Sequence, residues 1–254
     1  MSVSDRTAVI TGAGSKRGIG RATAHTLAAA GWHVAVLDLD EAGAKGVADE
    51  IAEQHGVRAV GVRCDVTDEA SVDQALATLD GALPPIGALV NNAGITSPTP
   101  FLEVTDEEWD RLFAVNVRGA YNITRRVAPG MAERGFGRIV FLSSVSAERG
   151  GGVFGGVGYS AAKAAQLGFA RALARELGPR GITANSVAPG LIGTDITGGA
   201  LDEDGRREQL LAGTPVGRIG TVADVADLIT YLCREESGYI PGVTYDVNGG
   251  SHIH

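Results

Sequence analysis

The stretch "VITGAGSKRGIGRATA" (residues 9–24) joins a β-branched run to an alanine-rich run through a loop holding Gly12, Gly14, Gly18 and Gly20. Strand, glycine-rich turn and helix in that order set backbone N–H groups at a helix N-terminus, where they can hold a pyrophosphate. The spacing departs from G-x-G-x-x-G, which needs glycine where Arg17 stands, and Lys16 and Arg17 put two cations into the loop. Asp38 closes the next β-branched run, about 20 residues further on, where a dinucleotide site carries the acid that binds the ribose hydroxyls. A carboxylate there also repels a 2′-phosphate, so Asp38 favours NAD over NADP. Without the upstream loop the same residue reads equally well as a helix N-cap.

Outward from this stretch the pattern repeats. Segments 7–11, 33–38, 58–66, 87–94, 138–144, 182–190 and 242–250 are short and nearly all apolar, as expected for strands buried on both faces of a parallel sheet. Helical segments are expected at 18–30, 41–55, 68–79, 106–134, 159–177 and 221–233. This alternation predicts an α/β fold: a doubly wound (Rossmann) sheet of seven mainly parallel strands with helices on both faces. One domain over residues 1–254 is expected, with a small substrate lobe inserted at about 191–220. The glycine-rich stretch 147–158 reads as a flexible loop leading into a helix, and 206–211 as amphipathic.

Hydrophobic content of 44% with 20% charged residues implies a packed core, and a net charge of -8 argues against nucleic acid or a membrane surface as partner. No leader-like segment opens the chain, and no apolar run approaches the roughly 20 residues of a membrane span. A cytoplasmic protein is the expectation. Cys64 and Cys233 are too few for a disulfide framework. The terminal "SHIH" sets His252 and His254 on one face of the last strand, more a polar tail than a metal site, and no metal is expected.

Tyr159 and Lys163 are four apart on an expected helix, so their side chains share a face. A free tyrosine, with a pKa of about 10, is a poor base near neutrality. A neighbouring ammonium and a nicotinamide cation favour the phenolate and lower that value. Tyr159 can then take a hydroxyl proton while hydride leaves the same carbon, or protonate the alkoxide in reverse.

In chain order stand "TGAGSKRGIG", "CDV" (64–66), "NNAG" (91–94), Asn116, "SS" (143–144), "YSAAK" (159–163), "PG" (189–190) and "DVNGG" (246–250). The series resembles the short-chain dehydrogenase/reductase family over essentially the whole chain. The family's T-G-x-x-x-G-x-G turn here has five residues between Gly12 and Gly18, two more than usual.

The resemblance implies cofactor contacts at Gly12, Ser15, Arg17, Gly18, Ile19 and Gly20. Further contacts are implied at Asp38 and Leu39, at Asp65 and Val66 beside the adenine, and at Asn92, Ala93 and Gly94 on the ribose side. Pro189, Gly190, Ile192 and Thr194 complete the set at the nicotinamide, with Tyr159 and Lys163 reaching its ribose. Asn91 is expected to bridge neighbouring strands. An arginine in the place of Arg17 often contacts the adenosine phosphate in relatives that use NADP, so it competes with Asp38. NAD is the expected cofactor, with NADP second.

The implied catalytic set is Asn116, Ser144, Tyr159 and Lys163, in which Asn116 completes a water-linked proton path through the lysine. The family's serine lies thirteen positions before the tyrosine. Ser146 keeps that interval, while Ser144 lies fifteen before it. The strand-then-turn frame favours Ser144, leaving Ser146, Phe154 and Leu191 as substrate-pocket residues. Glu148 and Arg149 offer polar recognition or are simply solvated.

The expected reaction is NAD-dependent interconversion of a secondary alcohol and a ketone on a polyol, sugar or hydroxy acid, in a homotetramer. The alternatives are a reductase of a hydrophobic ketone or 3-oxoacyl thioester using NADPH, an enoyl-reductase-like relative, and a non-catalytic dinucleotide-binding regulator. An enoyl-reductase-like relative would space its tyrosine and lysine more widely than 159–163.

Overall fold

The computed structural model describes residues 5–152, 154–195 and 211–253. Seven strands, β1 (Thr7–Thr11), β2 (His33–Asp38), β3 (Ala59–Arg63), β4 (Ile86–Asn91), β5 (Gly137–Leu142), β6 (Ile182–Pro189) and β7 (Thr244–Val247), form one sheet in the order β3-β2-β1-β4-β5-β6-β7. All six pairings are parallel. The helices are α1 (Ile19–Ala29), α2 (Glu41–His55), α3 (Glu69–Leu79), α4 (Asp106–Phe113), α5 (Gly119–Arg134), α6 (Ser146–Arg149), α7 (Val157–Leu177) and α8 (Val222–Leu232). The expected seven-stranded Rossmann architecture is present.

The continuous apolar runs have the anticipated cause. Along β1, Ala8 and Ile10 pack with Leu27, Val225 and Ile229 on one face of the sheet. Val9, between them, packs with Ile123, Met131 and Phe141 on the other. Successive strand residues point to opposite faces, and here both faces are covered by helices. The chain runs outward from β1 to β3, then returns to place β4 on the other side of β1. That reversal opens a crevice beyond the carboxyl ends of β1 and β4, where open α/β sheets bind ligands.

Four differences from the sequence reading bear on function. The expected helix 106–134 is interrupted by a π-helical segment, Ala114–Arg118. Within it the side-chain amide of Asn116 donates to Leu112 O at 2.9 Å, the carbonyl an α-helical N–H at this position would use. The supposed flexible stretch 147–158 holds most of the short helix α6, and α7 starts at Val157, two residues before Tyr159. β7 ends at Val247 and a turn follows, in which Asn248 donates to His252 O at 2.9 Å. His252 is therefore off the strand, because the glycines after Asn248 turn the chain; His254 lies outside the described residues. Of the expected lobe at 191–220 and the amphipathic stretch 206–211, residues 196–210 lie outside the described residues.

Among the described residues no helix is long and apolar enough to cross a membrane, and no group of three or more His, Cys, Asp or Glu side chains could hold a metal ion. Both cysteines are free and buried.

Candidate active site

A cleft of about 620 Å³ opens at the carboxyl ends of the strands. Its walls carry Gly12, Ser15, Gly18, Ile19, Asp38, Leu39, Asp65, Val66, Asn92, Ala93, Gly94, Pro189, Gly190, Ile192 and Thr194 from the expected cofactor set. Ser144, Ser146, Phe154, Tyr159, Lys163 and Leu191 line the same cleft. Three expected residues do not. Gly20 packs under the loop, where a Cβ would lie 2.5 Å from Asn92 Nδ2 and 2.8 Å from Gly12 O. Asn116 is fully buried behind the wall, and Arg17 is exposed beside it, against Asp195.

At the nucleotide end the polar side chains are engaged by the fold. Asp38 accepts the N–H of Gly14 at 2.8 Å and that of Asp40 at 3.0 Å. Gly14 belongs to the lengthened turn, so the extra residues are tied to the acid that ends β2. A Cβ at Gly14 would lie 3.0 Å from Asp38 Cβ and from Ala44 N, which explains a glycine here. Asn92 donates to Thr11 O at 2.9 Å and Gly12 O at 2.7 Å, fastening β4 to the end of β1.

The strand-bridging role expected of Asn91 thus belongs to Asn92; Asn91 donates to Thr124 Oγ1 on α5 at 3.1 Å. Asp65 accepts both the N–H and the hydroxyl of Thr67. Helix α1 begins after Gly18 with no side-chain cap, so its first-turn N–H groups are left for an anion beside the bare glycines and Ser15. These residues fit the pyrophosphate of a dinucleotide.

Arg17 has a partner within the chain. Its N–H and Nε donate to Asp195 at 3.0 and 2.8 Å, and Asp195 N donates to Arg17 O at 3.2 Å. Asp195 lines the cleft just beyond Thr194. The contact therefore joins the glycine turn to the loop after β6, and the pairing holds the Asp195 carboxyl below its ordinary value.

At the other end Tyr159, in the first turn of α7, lines the cleft with Ser144 beside it. Ser144 Oγ accepts the N–H of Ser146 at 3.1 Å, since α6 begins directly after Val145. The fifteen-residue interval from Ser144 to the phenol is taken up by α6 and the glycines behind it. A Cβ on Gly155 would collide with Tyr159 Cδ1 at 2.5 Å and Ser146 Oγ at 3.1 Å, so this glycine admits the ring.

Lys163 is buried, its Nζ donating to Leu142 O at 2.6 Å and lying 5.7 Å from the Tyr159 ring centre. Burial brings the ammonium down from 10.5 to about 7. Burial also raises the Tyr159 phenol, an effect the neighbouring Ser144 hydroxyl opposes. Desolvation thus disfavours both charged forms and works against the lowering expected of Tyr159 from the ammonium and the nicotinamide cation.

Asn116 completes the group from behind. Its amide donates to Ile95 O at 3.0 Å and Leu112 O at 2.9 Å, which fixes which way the amide faces. Its Oδ1 is left buried with no hydrogen-bond partner. A Cβ on Gly94 would lie 2.6 Å from this oxygen and 3.2 Å from Lys163 Nζ, so the two atoms flank one spot.

Cleft residues missing from the sequence reading include Asp195, Thr67, Ile95, Thr96, Thr214 and Ser251. Ser251 follows the "DVNGG" motif, which could have signalled it. Asp195 pairs with a residue 178 positions away, and no local pattern marks that.

An uncapped helix and bare glycines at one end of the cleft, with a Tyr–Ser–Lys group at the other, define a dinucleotide-dependent oxidoreductase. A family profile described as Enoyl-(Acyl carrier protein) reductase matches residues 12–252. An uncharacterized short-chain type dehydrogenase/reductase of Sinorhizobium fredii is 47% identical over 255 residues, covering all of both chains. The 3-oxoacyl-[acyl-carrier-protein] reductase FabG of Escherichia coli is 39% identical over 253 residues, again all of both. A structure from Beutenbergia cavernae, described as a candidate NAD(P) dependent gluconate 5-dehydrogenase with NADP bound at low occupancy, superposes with a TM-score of 0.90. It is 37% identical, with 98% of each chain covered. The chain belongs to the short-chain dehydrogenase/reductase family.

Proposed function

We propose that the chain interconverts a secondary alcohol and a ketone, with Tyr159 as acid and base, NAD as preferred cofactor and a small hydroxylated molecule as substrate. The observation that carries this is the convergence of Ser144, Tyr159 and Lys163 on one cleft, the same cleft that holds the pyrophosphate cradle. The nicotinamide, when bound, supplies the site that gives or takes hydride. Tyr159 moves the hydroxyl proton, and Ser144, its oxygen already accepting Ser146 N–H, directs its own proton toward the substrate oxygen. Asn116 Oδ1 and Lys163 Nζ would share a water and link the phenol to solvent. Asp38 keeps lone pairs for ribose hydroxyls beyond those used by Gly14 and Asp40. Its negative charge opposes a 2′-phosphate.

A single domain over the whole chain, a substrate lobe near 191–220, and a homotetramer readable by light scattering belong to the same proposal. Steady-state rates with NAD+ and NADP+ over a panel of polyols, sugar acids and simple secondary alcohols test it. A clear NADP preference overturns the cofactor assignment, and cofactor binding without turnover of any alcohol or ketone overturns the reaction. Asp38→Ser should shift efficiency toward NADP.

A second reading, reduction of a 3-oxoacyl thioester with NADPH, draws on the FabG relative at 39% identity. Acetoacetyl-CoA with NADPH is its assay. Tyr159 and Lys163, one helical turn apart on α7, speak against enoyl reduction.

A further inference from the structure

The charged side chains of the cleft wall among the described residues are Asp38, Asp65, Arg149, Lys163 and Asp195. Four are engaged by the fold. Asp38 holds two backbone N–H groups, Asp65 holds Thr67, and Asp195 holds Arg17. Lys163 is buried against Leu142 O. Arg149 differs in being an exposed cation, and no carboxylate among the described residues pairs with it.

It also has a built seat. Arg149 stands three residues after Ser146 on α6, so both face the cleft from one side of the helix, about 5 Å apart along its axis. Its Nε donates to Gly151 O at 3.0 Å, which fixes the arm. A Cβ on Gly152 would lie 2.7 Å from Arg149 Nη2, so the guanidinium lies over the Gly152 backbone. Gly150 and Gly151, at φ +79° and +120°, turn the chain beneath it. With Nε occupied, the Nη edge stays open, and a planar fork of this kind matches a carboxylate.

We infer that Arg149 forms an anion subsite one helical turn from Ser146, and that the substrate is a hydroxy or oxo acid whose carboxylate lies several bonds from the reacting carbon. The inference rests on the secondary-alcohol reading above and narrows its substrate class. The glycine run 150–152 then serves to seat a cation rather than to make the loop flexible.

The test is calorimetric titration of the protein saturated with NAD+ or NADP+, whichever binds tighter, using gluconate and its uncharged counterpart sorbitol. Gluconate should bind at least about tenfold more tightly than sorbitol. Arg149→Gln should erase that difference while leaving sorbitol binding, cofactor affinity and Tm unchanged, and Arg149→Lys should restore part of it. Equal binding of the two probes, no gluconate binding by the wild type, or full gluconate affinity in Arg149→Gln overturns the subsite. Turnover of the same pair separates the two claims. Gluconate held through Arg149 but never oxidised leaves the subsite standing and counts against the alcohol reading. Neutral alcohols oxidised readily, with gluconate bound no better, do the reverse.

Discussion

The two ends of the cleft handle their polar groups in opposite ways. At the nucleotide end Asp38, Asp65 and Asn92 are each engaged by neighbouring backbone or hydroxyl groups. At the reaction end, among the described residues, Asn116 Oδ1 and the Arg149 Nη edge have no partner, and burial disfavours the charges of both Tyr159 and Lys163. One end is tied down by the fold's own hydrogen bonds. The other keeps polar groups that a water or a ligand would complete, at a cost to the fold on its own.

This contrast can be broken most decisively at Tyr159. Tyr159→Phe keeps the ring but removes the proton carrier, and turnover should fall by about 10²- to 10⁴-fold in a steady-state assay. Retention of most activity would remove the basis for the division. Next in size is Gly94→Ala, whose methyl would press on Asn116 Oδ1 at 2.6 Å and Lys163 Nζ at 3.2 Å. The Asn116 amide is held by two carbonyls and cannot turn aside. Turnover should drop by about tenfold or more, and chemical denaturation should show a loss of about 1–3 kcal/mol from overpacking.

A smaller effect sharpens the point about the empty fold. The unfolded chain keeps the Lys163 proton to its ordinary value of 10.5, whereas the folded protein releases it at about 7. Between these values the unfolded state binds more protons, so stability rises with pH. Calorimetry from pH 7 to 9 should therefore show Tm of the ligand-free wild type rising relative to Lys163→Met. The cysteine thiols, raised to about 11 and 12, reverse the trend only above their ordinary value of 9.0. The smallest effect belongs to the exposed Arg17–Asp195 contact. Arg17→Gln should speed cofactor release by less than about tenfold in stopped flow, in line with a surface pair, and reversing both charges should restore the wild-type rate.

What could be read from the sequence divides along the same line. Nucleotide-end residues lie next to strand ends and the N-terminus of α1, so periodicity and glycine spacing locate them; β1, β2 and α2 match their expected bounds. Contacts between distant segments could not be read in this way. The Arg17–Asp195 pairing spans 178 residues, so spacing within the glycine turn could not show it. Ser144 and Ser146 could not be separated by counting, since α6 hides within a glycine-rich run that reads as loop. The break at Ala114–Arg118 left no mark on the apolar pattern, because it depends on where one side-chain amide donates.

That break also gives the helix one residue of slack. A wider turn takes up an extra residue, so α4 and α5 on either side keep nearly the phase of an unbroken helix. Deleting one residue between 114 and 118 would close the turn to ordinary helix and leave Ile123, Val127 and Met131 in the core they now fill. The cost would fall on the turn itself, where Asn116 would lose the place from which it reaches Ile95 O and Leu112 O.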